Sequence, residues 1–445
     1  MPPALLSCTE EGLNSRQRHF PLRLTFEAFV WQILHPGTSC REVVRHVQTL
    51  CRLAGRSPVD PSDSAYVQAR QRLPEQRMQE ALEATARAAE MRASNPSVLQ
   101  GRAVKVVDGS TTQLADTPRN QKTYPQPKVQ KPGCGFPVMK FVVLFSLSSG
   151  AILQIAIANL HAHELRLFRR LWSWLRQGDI VLADRLFGEY ATLAALPRRG
   201  VDMVARLHQA RKVDFRKARR LGAKDGLFTW TKGLNQSTIL SPKQWRALPG
   251  EITVRILRFS AQVRGFRSRR LTLVTTLLDP KLYRAEEIIG LYARRWRLEL
   301  CLRDLKSTMG MEQLRCKSPA MARKELLAYL IAHNLIRCLM AEAMNCYSVD
   351  LERVSFKGAL DTLRQYSAAL AQARNRKMRR QLWGDLLRNL ARDLVPLRPH
   401  RQEPRALKRR PKQFALLNRP RRCFKEIPHR NKYWKSNPRN YRRLN

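Results

Sequence analysis

The stretch Tyr292-Ala-Arg-Arg295-Trp-Arg-Leu-Glu299-Leu-Cys-Leu-Arg-Asp-Leu-Lys306 contains the most informative spacing in this chain of 445 residues. Its four polar residues Tyr292, Arg295, Glu299 and Lys306 follow one another at intervals of three, four and seven positions. At about 100° per residue, these intervals predict one continuous helix with all four side chains inside an arc of roughly 60°. The leucines between them form a neighbouring arc, so the helix is expected to pack by its leucines and hold the polar stripe at the edge of the packed face. A surface helix with simple ion pairs is the alternative interpretation.

The complete spacing, Y-x2-R-x3-E-x6-K, resembles the signature of the insertion-sequence transposases of the DDE type that carry the YREK motif. This resemblance implies an RNase H-like catalytic domain that cuts and joins DNA with two Mg²⁺ ions, for which Mn²⁺ can substitute. It also implies that Tyr292, Arg295 and Lys306 hold the phosphates of the transposon end. A planar guanidinium and a compact ammonium are both suited to that task.

Two aspartates earlier in the chain complete the catalytic set that the resemblance implies. Asp108 follows the β-branched run at 103–107 and Asp184 follows the apolar run at 180–183. An aspartate at the end of a strand is usually a turn or cap residue, but the contexts Val-Val-Asp108-Gly-Ser-Thr and Leu-Ala-Asp184-Arg-Leu-Phe resemble the first two acidic motifs of the family. We therefore expect Asp108, Asp184 and Glu299 to meet. Three carboxylates in one place repel unless cations lie between them, and Mg²⁺ prefers such oxygen ligands.

Two further positions are weaker candidates. Arg185 follows the second aspartate and could contact a phosphate, although an ion pair would explain it equally well. Glu164 follows His163 at the start of a predicted helix, where the helix dipole already favours an acid. Glu164 is therefore expected only to support the catalytic acids.

The charge of the chain indicates its partner. Lys and Arg number 82 against 35 Asp and Glu, for a formal charge of +47, which exceeds what solubility requires. Such a field favours polyanions, and double-stranded DNA is the expected partner, ahead of anionic lipid. The longest apolar stretch, 326–340, is interrupted by polar residues and predicts a core helix, with no membrane involved. Scattered cysteines without a C-x-x-C pair favour a reducing compartment, so a cytoplasmic, nucleoid-associated protein is expected.

The sequence predicts four consecutive parts. A helical, DNA-binding domain is expected at 1–97, and an α/β, RNase H-like catalytic domain at 98–318 contains a β-rich insertion at about 208–285. C-terminal helices at 319–395 and a basic, disordered tail at 396–445 follow. In the first part, Ser39 and Glu42 predict a capped helix from Cys40, and Asp60 before Pro61 predicts the start of the next.

The function that these features favour is transposition, performed by a homodimer when two ends are paired. A structure-specific RNase H-like nuclease and a non-catalytic basic DNA-binding protein are the alternatives. Some members of the family use a tryptophan shortly before the tyrosine motif to stack on a flipped base during hairpin formation. The tryptophans of the predicted insertion, Trp230 and Trp245, lie far upstream. The sequence therefore does not predict a hairpin intermediate.

Overall fold

The structure is a computed structural model that describes residues 20–93, 99–234, 237, 239–261, 269–396, 420 and 423. The basic tail expected at 396–445 lies almost wholly outside these residues. So do the first 19 residues of the predicted N-terminal domain.

One mixed sheet of ten strands organises the chain. Its strands are β1 Val104–Leu114, β2 Val138–Ser146, β3 Ile152–Asn159, β4 Ile180–Ala183, β5 Asp202–Arg206, β6 Arg219–Gly222, β7 Asp225–Thr231, β8 Glu251–Ala261, β9 Arg269–Thr275 and β10 Gln313–Leu314. Their order is β3-β2-β1-β4-β5-β9-β8-β7-β6, and β10 pairs with the end of β1. The first three strands form an antiparallel meander, whereas β1, β4 and β5 are parallel. The predicted hairpin and both predicted apolar strands are therefore present.

Thirteen helices pack around this sheet in the part of the chain that the structure describes. They are α1 Leu22–Leu34, α2 Cys40–Leu53, α3 Asp63–Arg72, α4 Glu75–Arg92, α5 Pro118–Thr123, α6 Glu164–Leu171, α7 Tyr190–Ala195, α8 Pro242–Arg246, α9 Ala285–Ala293, α10 Trp296–Arg303, α11 Pro319–Tyr347, α12 Phe356–Gln372 and α13 Arg376–Arg392. The predicted cap of α2 is present, since the Ser39 side chain accepts a hydrogen bond from the Glu42 amide. The prediction for α3 was wrong: Ser62, not Asp60, caps it, because the Asp60 side chain accepts the Ser62 amide and so forms the turn before the helix.

The predicted insertion extends the central sheet. Strand β9 pairs antiparallel with β5, with Ala205 opposite Val274, and β8, β7 and β6 follow outward. A buried pair anchors it, because Arg255 donates from Nε to Asp225 at 2.9 Å and from Nη1 to the Tyr283 carbonyl at 2.7 Å. Since Tyr283 precedes α9, this arginine ties the added strands to the segment that leads to the polar stripe.

Helix α11 is the central helix of the core. It is apolar and long enough to cross a membrane by composition, but 83% of its apolar window is buried inside the protein. The Asn334 side chain bonds to the backbone of β3, which is an edge strand of the sheet. It accepts a hydrogen bond from the Ile152 amide at 2.8 Å and donates one to the Ile152 carbonyl at 2.9 Å. Asn334, one of the polar residues that interrupt this stretch, therefore bonds the helix to β3.

Candidate active site

The register of two parallel strands brings the predicted aspartates together. Val106 on β1 is paired with Leu182 on β4, and Asp108 and Asp184 each lie two residues further along. Because side chains alternate along a strand, both aspartates project to the same face as Val106 and Leu182, on strands about 4.8 Å apart. That face is also covered by Leu298 of α10, in the same hydrophobic core cluster. The sheet thus presents both acids toward the helix that carries Glu299.

The sequence predicted that the strand ends at Asp108, and this prediction was wrong. β1 continues to Leu114, because Asp108 is still paired with Val143 of β2 beyond the point at which β4 ends. The acid therefore has a rigid backbone on one side and an open edge on the other. Burial raises the pKa of Asp108 to about 6, and the nearby carboxylates of Asp184 and Glu164 raise it further. The hydrogen bond from the Gly109 amide and the charge of Arg295 lower this pKa in part.

The predicted continuous helix is in fact broken. Helix α9 ends at Ala293 and α10 begins at Trp296, and the connection bonds three residues back: Arg295 N donates to Tyr292 O, and Leu298 N donates to Arg295 O, both at 3.0 Å. After α10, the backbone forms a π-helical turn at Asp304–Thr308. Such tightened and widened turns are common at functional sites. They change the angular spacing, so the stripe is not a straight 60° arc.

Arg295 joins the stripe to the sheet. Its Nη2 donates to Glu299 Oε1 at 3.1 Å, and its Nη1 lies 4.0 Å from Asp108 Oδ2. The guanidinium carbon is 5.8 Å from the centroid of the Tyr292 ring. Burial opposes the charge on Arg295, but Tyr292, Asp108 and Glu299 together raise its pKa. A single cation therefore lies between two of the three predicted catalytic acids.

Tyr292 and Lys306 lie within electrostatic reach of the same acids. Burial raises the pKa of Tyr292, Arg295 opposes the shift and Asp184 adds to it. Burial lowers the pKa of the Lys306 ammonium, whereas Glu312 and Asp108 raise it. An anion beside Lys306 would therefore favour its charged form.

Arg185 makes its side-chain hydrogen bond outside this group. Its Nη1 donates to Gln209 Oε1 at 2.8 Å, and no ion pair forms at Arg185 among the described residues. Sequence reasoning missed Arg206, the last residue of β5, which contributes to the pKa of Tyr292. The sequence could have indicated this residue, because Arg206 lies at the end of the strand that follows Asp184, and the ends of the parallel strands β4 and β5 lie side by side.

Glu164 approaches Asp108 from the opposite face of the sheet. A Cβ atom at position 109 would lie 2.6 Å from Glu164 Oε2, so a larger residue there would displace the carboxylate from this position. Lys140 Nζ lies 3.9 Å from Glu164 Oε1 and donates to the Ala162 carbonyl at 3.0 Å. With Gly109 in place, a fourth acid lies near the edge that carries Asp108.

The donors suit a hard divalent cation in type, although they do not form a finished cage. Among the residues that the structure describes, no three Asp, Glu, His or Cys side chains are close enough together to hold a metal ion. The acids are oxygen donors, as Mg²⁺ requires, and burial disfavours the charged form of Asp108, a cost that a bound cation would offset. Glu299 is paired with Arg295, so Arg295 would have to move before Glu299 could bind a metal.

The fold and the acidic edge define a polynucleotidyl-transfer domain of the RNase H-like class, in which β1 is central and β4 lies beside it. Residues 99–335 match the family described as "Transposase DDE domain", and the chain belongs to that family. The predicted family and the predicted α/β, RNase H-like fold are both confirmed, and the chain is a DDE transposase.

Several known proteins are similar to this chain. The chain is 25% identical over 426 residues to the transposase InsG for insertion sequence element IS4 of Escherichia coli strain K12, across 93% of this chain and 92% of that protein. A 64-residue stretch is 38% identical to the transposase for insertion sequence element IS421 of Escherichia coli, over 14% of this chain and 17% of the other. Among solved structures, a piggyBac transposase synaptic complex with hairpin DNA aligns with a TM-score of 0.40 and 8% identity, over 82% of this chain and 75% of that chain.

Proposed function

We propose that this transposase binds double-stranded DNA at the ends of its insertion sequence and catalyses strand cleavage and strand transfer by in-line phosphoryl transfer. Asp108, Asp184 and Glu299 are the proposed ligands of two Mg²⁺ ions, with Mn²⁺ as a substitute. The observation that carries the proposal is the matched register of Asp108 and Asp184, together with the Arg295 bridge toward Glu299. When bound, the two ions would activate the attacking oxygen and stabilise the leaving oxygen.

The other residues of the site have roles that follow from their contacts. The guanidinium of Arg295 can exchange its contacts with Asp108 and Glu299 for a DNA phosphate, which it would grip through two parallel hydrogen bonds. This exchange would release both carboxylates for the metal ions. Tyr292 limits where Arg295 can go because its ring lies beside the guanidinium. Lys306, half-buried, supplies a point charge for the same strand.

The partners and location follow from the same proposal. A charge of +47 favours DNA along much of the surface. Two ends must be held together for joining, so we infer a homodimer on paired ends, acting in the cytoplasm on the nucleoid. Residues 1–97, of which the structure describes 20–93, are the proposed domain that recognises the end sequence. Arg185 is also a proposed DNA contact, with less support than the other residues.

The test uses a labelled duplex that carries the terminal DNA flanking the coding sequence. Asp108→Asn, Asp184→Asn and Glu299→Gln should each bind this duplex but lose cleavage by several orders of magnitude in Mg²⁺, because each removes a negative charge that the ions require. Glu286→Gln is the matched control, since Glu286 is exposed at the start of α9. Near-normal cleavage by any of the three variants would remove that residue from the catalytic set.

The same reaction separates the transposase from the alternative functions. A transposase joins the cut end to a second DNA, and the joined product appears as a labelled band of higher mass. Cleavage without joining would indicate a nuclease. Binding with neither reaction in the wild type would indicate a non-catalytic DNA-binding protein.

A further inference from the structure

A second basic surface lies in the inserted strands, outside the group around Asp108. It is a cleft of about 1210 Å³ between the loop after β5, strands β6 and β7, and the loop that leads to α9. Its lining includes four cations and two aromatic rings: Arg211, Lys212, Lys217, Arg219, Phe228 and Trp230. The volume exceeds the roughly 300–1,000 Å³ of a small-molecule pocket, which favours a polymer as the occupant.

Arg211 is oriented in this cleft without an acid to bind. Its guanidinium carbon lies 3.9 Å from the centroid of the Trp230 ring, the separation of a close cation–π contact. The Arg211 side chain forms no hydrogen bond or ion pair with any residue that the structure describes. A guanidinium stacked in this way keeps its N–H edge available for an anion.

The acids of the cleft are already engaged. Asp214 accepts two hydrogen bonds from Arg216, from Nε and Nη2, each at 3.0 Å. Asp279 accepts the Lys281 amide at 2.8 Å. Lys217 lies near enough to Asp214 to help lower its pKa, but neither acid forms an ion pair with Arg211, Lys212 or Arg219 among the described residues. These three cations are therefore available for an outside anion.

The cleft is continuous with the catalytic edge through one short loop. Arg206, which interacts electrostatically with Tyr292, is followed five residues later by Arg211. An extended chain covers at most about 3.6 Å per residue, and the chain turns here because the Arg211 amide donates to the His208 carbonyl, so the two Cα atoms are separated by less than roughly 18 Å. At about 3.4 Å per base step along one strand, this upper limit corresponds to about five steps of duplex DNA.

We propose that this cleft binds the sugar-phosphate backbone of duplex DNA within about five base steps of Arg206, with Arg211 on Trp230 as the phosphate-binding fork. Lys212 and Arg219 extend the contact along the same strand. The ring face of Trp230 is occupied by Arg211, so the cleft holds phosphates and not an unstacked base. This inference rests on the proposed function, because it assumes that DNA is cut beside Asp108.

The test compares the triple variant Arg211→Gln, Lys212→Gln, Arg219→Gln with a control triple of equal charge loss. The control replaces Arg376, Arg379 and Arg380, which are exposed on α13. Fluorescence anisotropy measures binding to two series of end duplexes, each extended from the cleavage site by about 3 to 12 base pairs on one side. In one series, the wild type and the control should gain affinity once the duplex is long enough to reach the cleft.

The cleft triple should lack that gain, so its affinity for the longer duplexes should be about tenfold or more below that of the wild type at low salt. The slope of its log affinity against log salt should be less steep by about 2.7, or about 0.9 for each lost phosphate contact. The thermal midpoint should match the wild type, which verifies folding. A cleft triple with the length dependence and salt slope of the wild type would overturn the inference. If the wild type still cuts the end duplex in that case, the proposed function stands; if it neither binds nor cuts, both fail.

Discussion

Replacement of Asp108 by Asn should stabilise the metal-free protein at neutral pH. Burial raises the pKa of this carboxyl from about 3.8 to about 6, and its side chain is 23% exposed, so the shift reflects a real desolvation cost. At about 1.36 kcal/mol per pKa unit, an ionised Asp108 destabilises the folded state by about 3 kcal/mol at pH 7.5. Asn removes the charge and keeps an oxygen to accept the Gly109 amide, which Asp108 Oδ1 now accepts at 2.9 Å.

The pH dependence has a definite sign. The folded state binds the proton more tightly than the unfolded state, so this contribution to stability is fully present below about pH 3.8 and is lost as the pH rises to about 6. The advantage of Asp108→Asn should therefore fall to about half when the pH is lowered from 7.5 to 5. Mg²⁺ should raise the stability of the wild type and leave the variant nearly unchanged, because bound cation offsets the same cost.

Thermal unfolding followed by fluorescence, in EDTA and in Mg²⁺ at both pH values, provides the measurement. Glu286→Gln, an exposed change of the same kind in the first turn of α9, should lower stability by no more than about 0.3–1 kcal/mol and should not reproduce the gain of Asp108→Asn. An Asp108→Asn protein no more stable than the wild type at pH 7.5 in EDTA would refute the desolvation argument. Equal stabilisation of wild type and variant by Mg²⁺ would refute Asp108 as a metal ligand.

Three further outcomes are expected. Arg295→Lys should reduce cleavage by about tenfold to a hundredfold while DNA binding changes less, because an ammonium cannot form the bidentate phosphate contact; unchanged cleavage kinetics would contradict this role. Lys306→Ala should weaken the grip on the end and alter the cut position or rate, yet retain the Mg²⁺ stabilisation seen in the wild type, and loss of that stabilisation would argue against a purely phosphate-binding role. Deletion of residues 396–445 should flatten the salt dependence of binding to any duplex while preference for end DNA survives at equal salt, so loss of that preference would show a sequence-reading tail.

Local patterns in the sequence were sufficient for the elements that carry the site. The β-branched run before Asp108 and the apolar run before Asp184 became β1 and β4, and the Ser39 cap marked the start of α2. These features depend on near neighbours, so the chain encodes them without reference to distant residues. The same is true of the spacing from Tyr292 to Lys306, which indicates the family by sequence alone.

Only the tertiary structure decided how these pieces meet. A fixed helical period could not predict the break at Arg295, because the guanidinium that lies there bonds to Glu299 and approaches Asp108 across 187 positions of sequence. Nor could it predict that β9 would join β5 and make the insertion part of the catalytic sheet. Local sequence sets which residues favour strand or helix, whereas strand partners and the placement of a charge are selected by packing between segments that are distant in the chain.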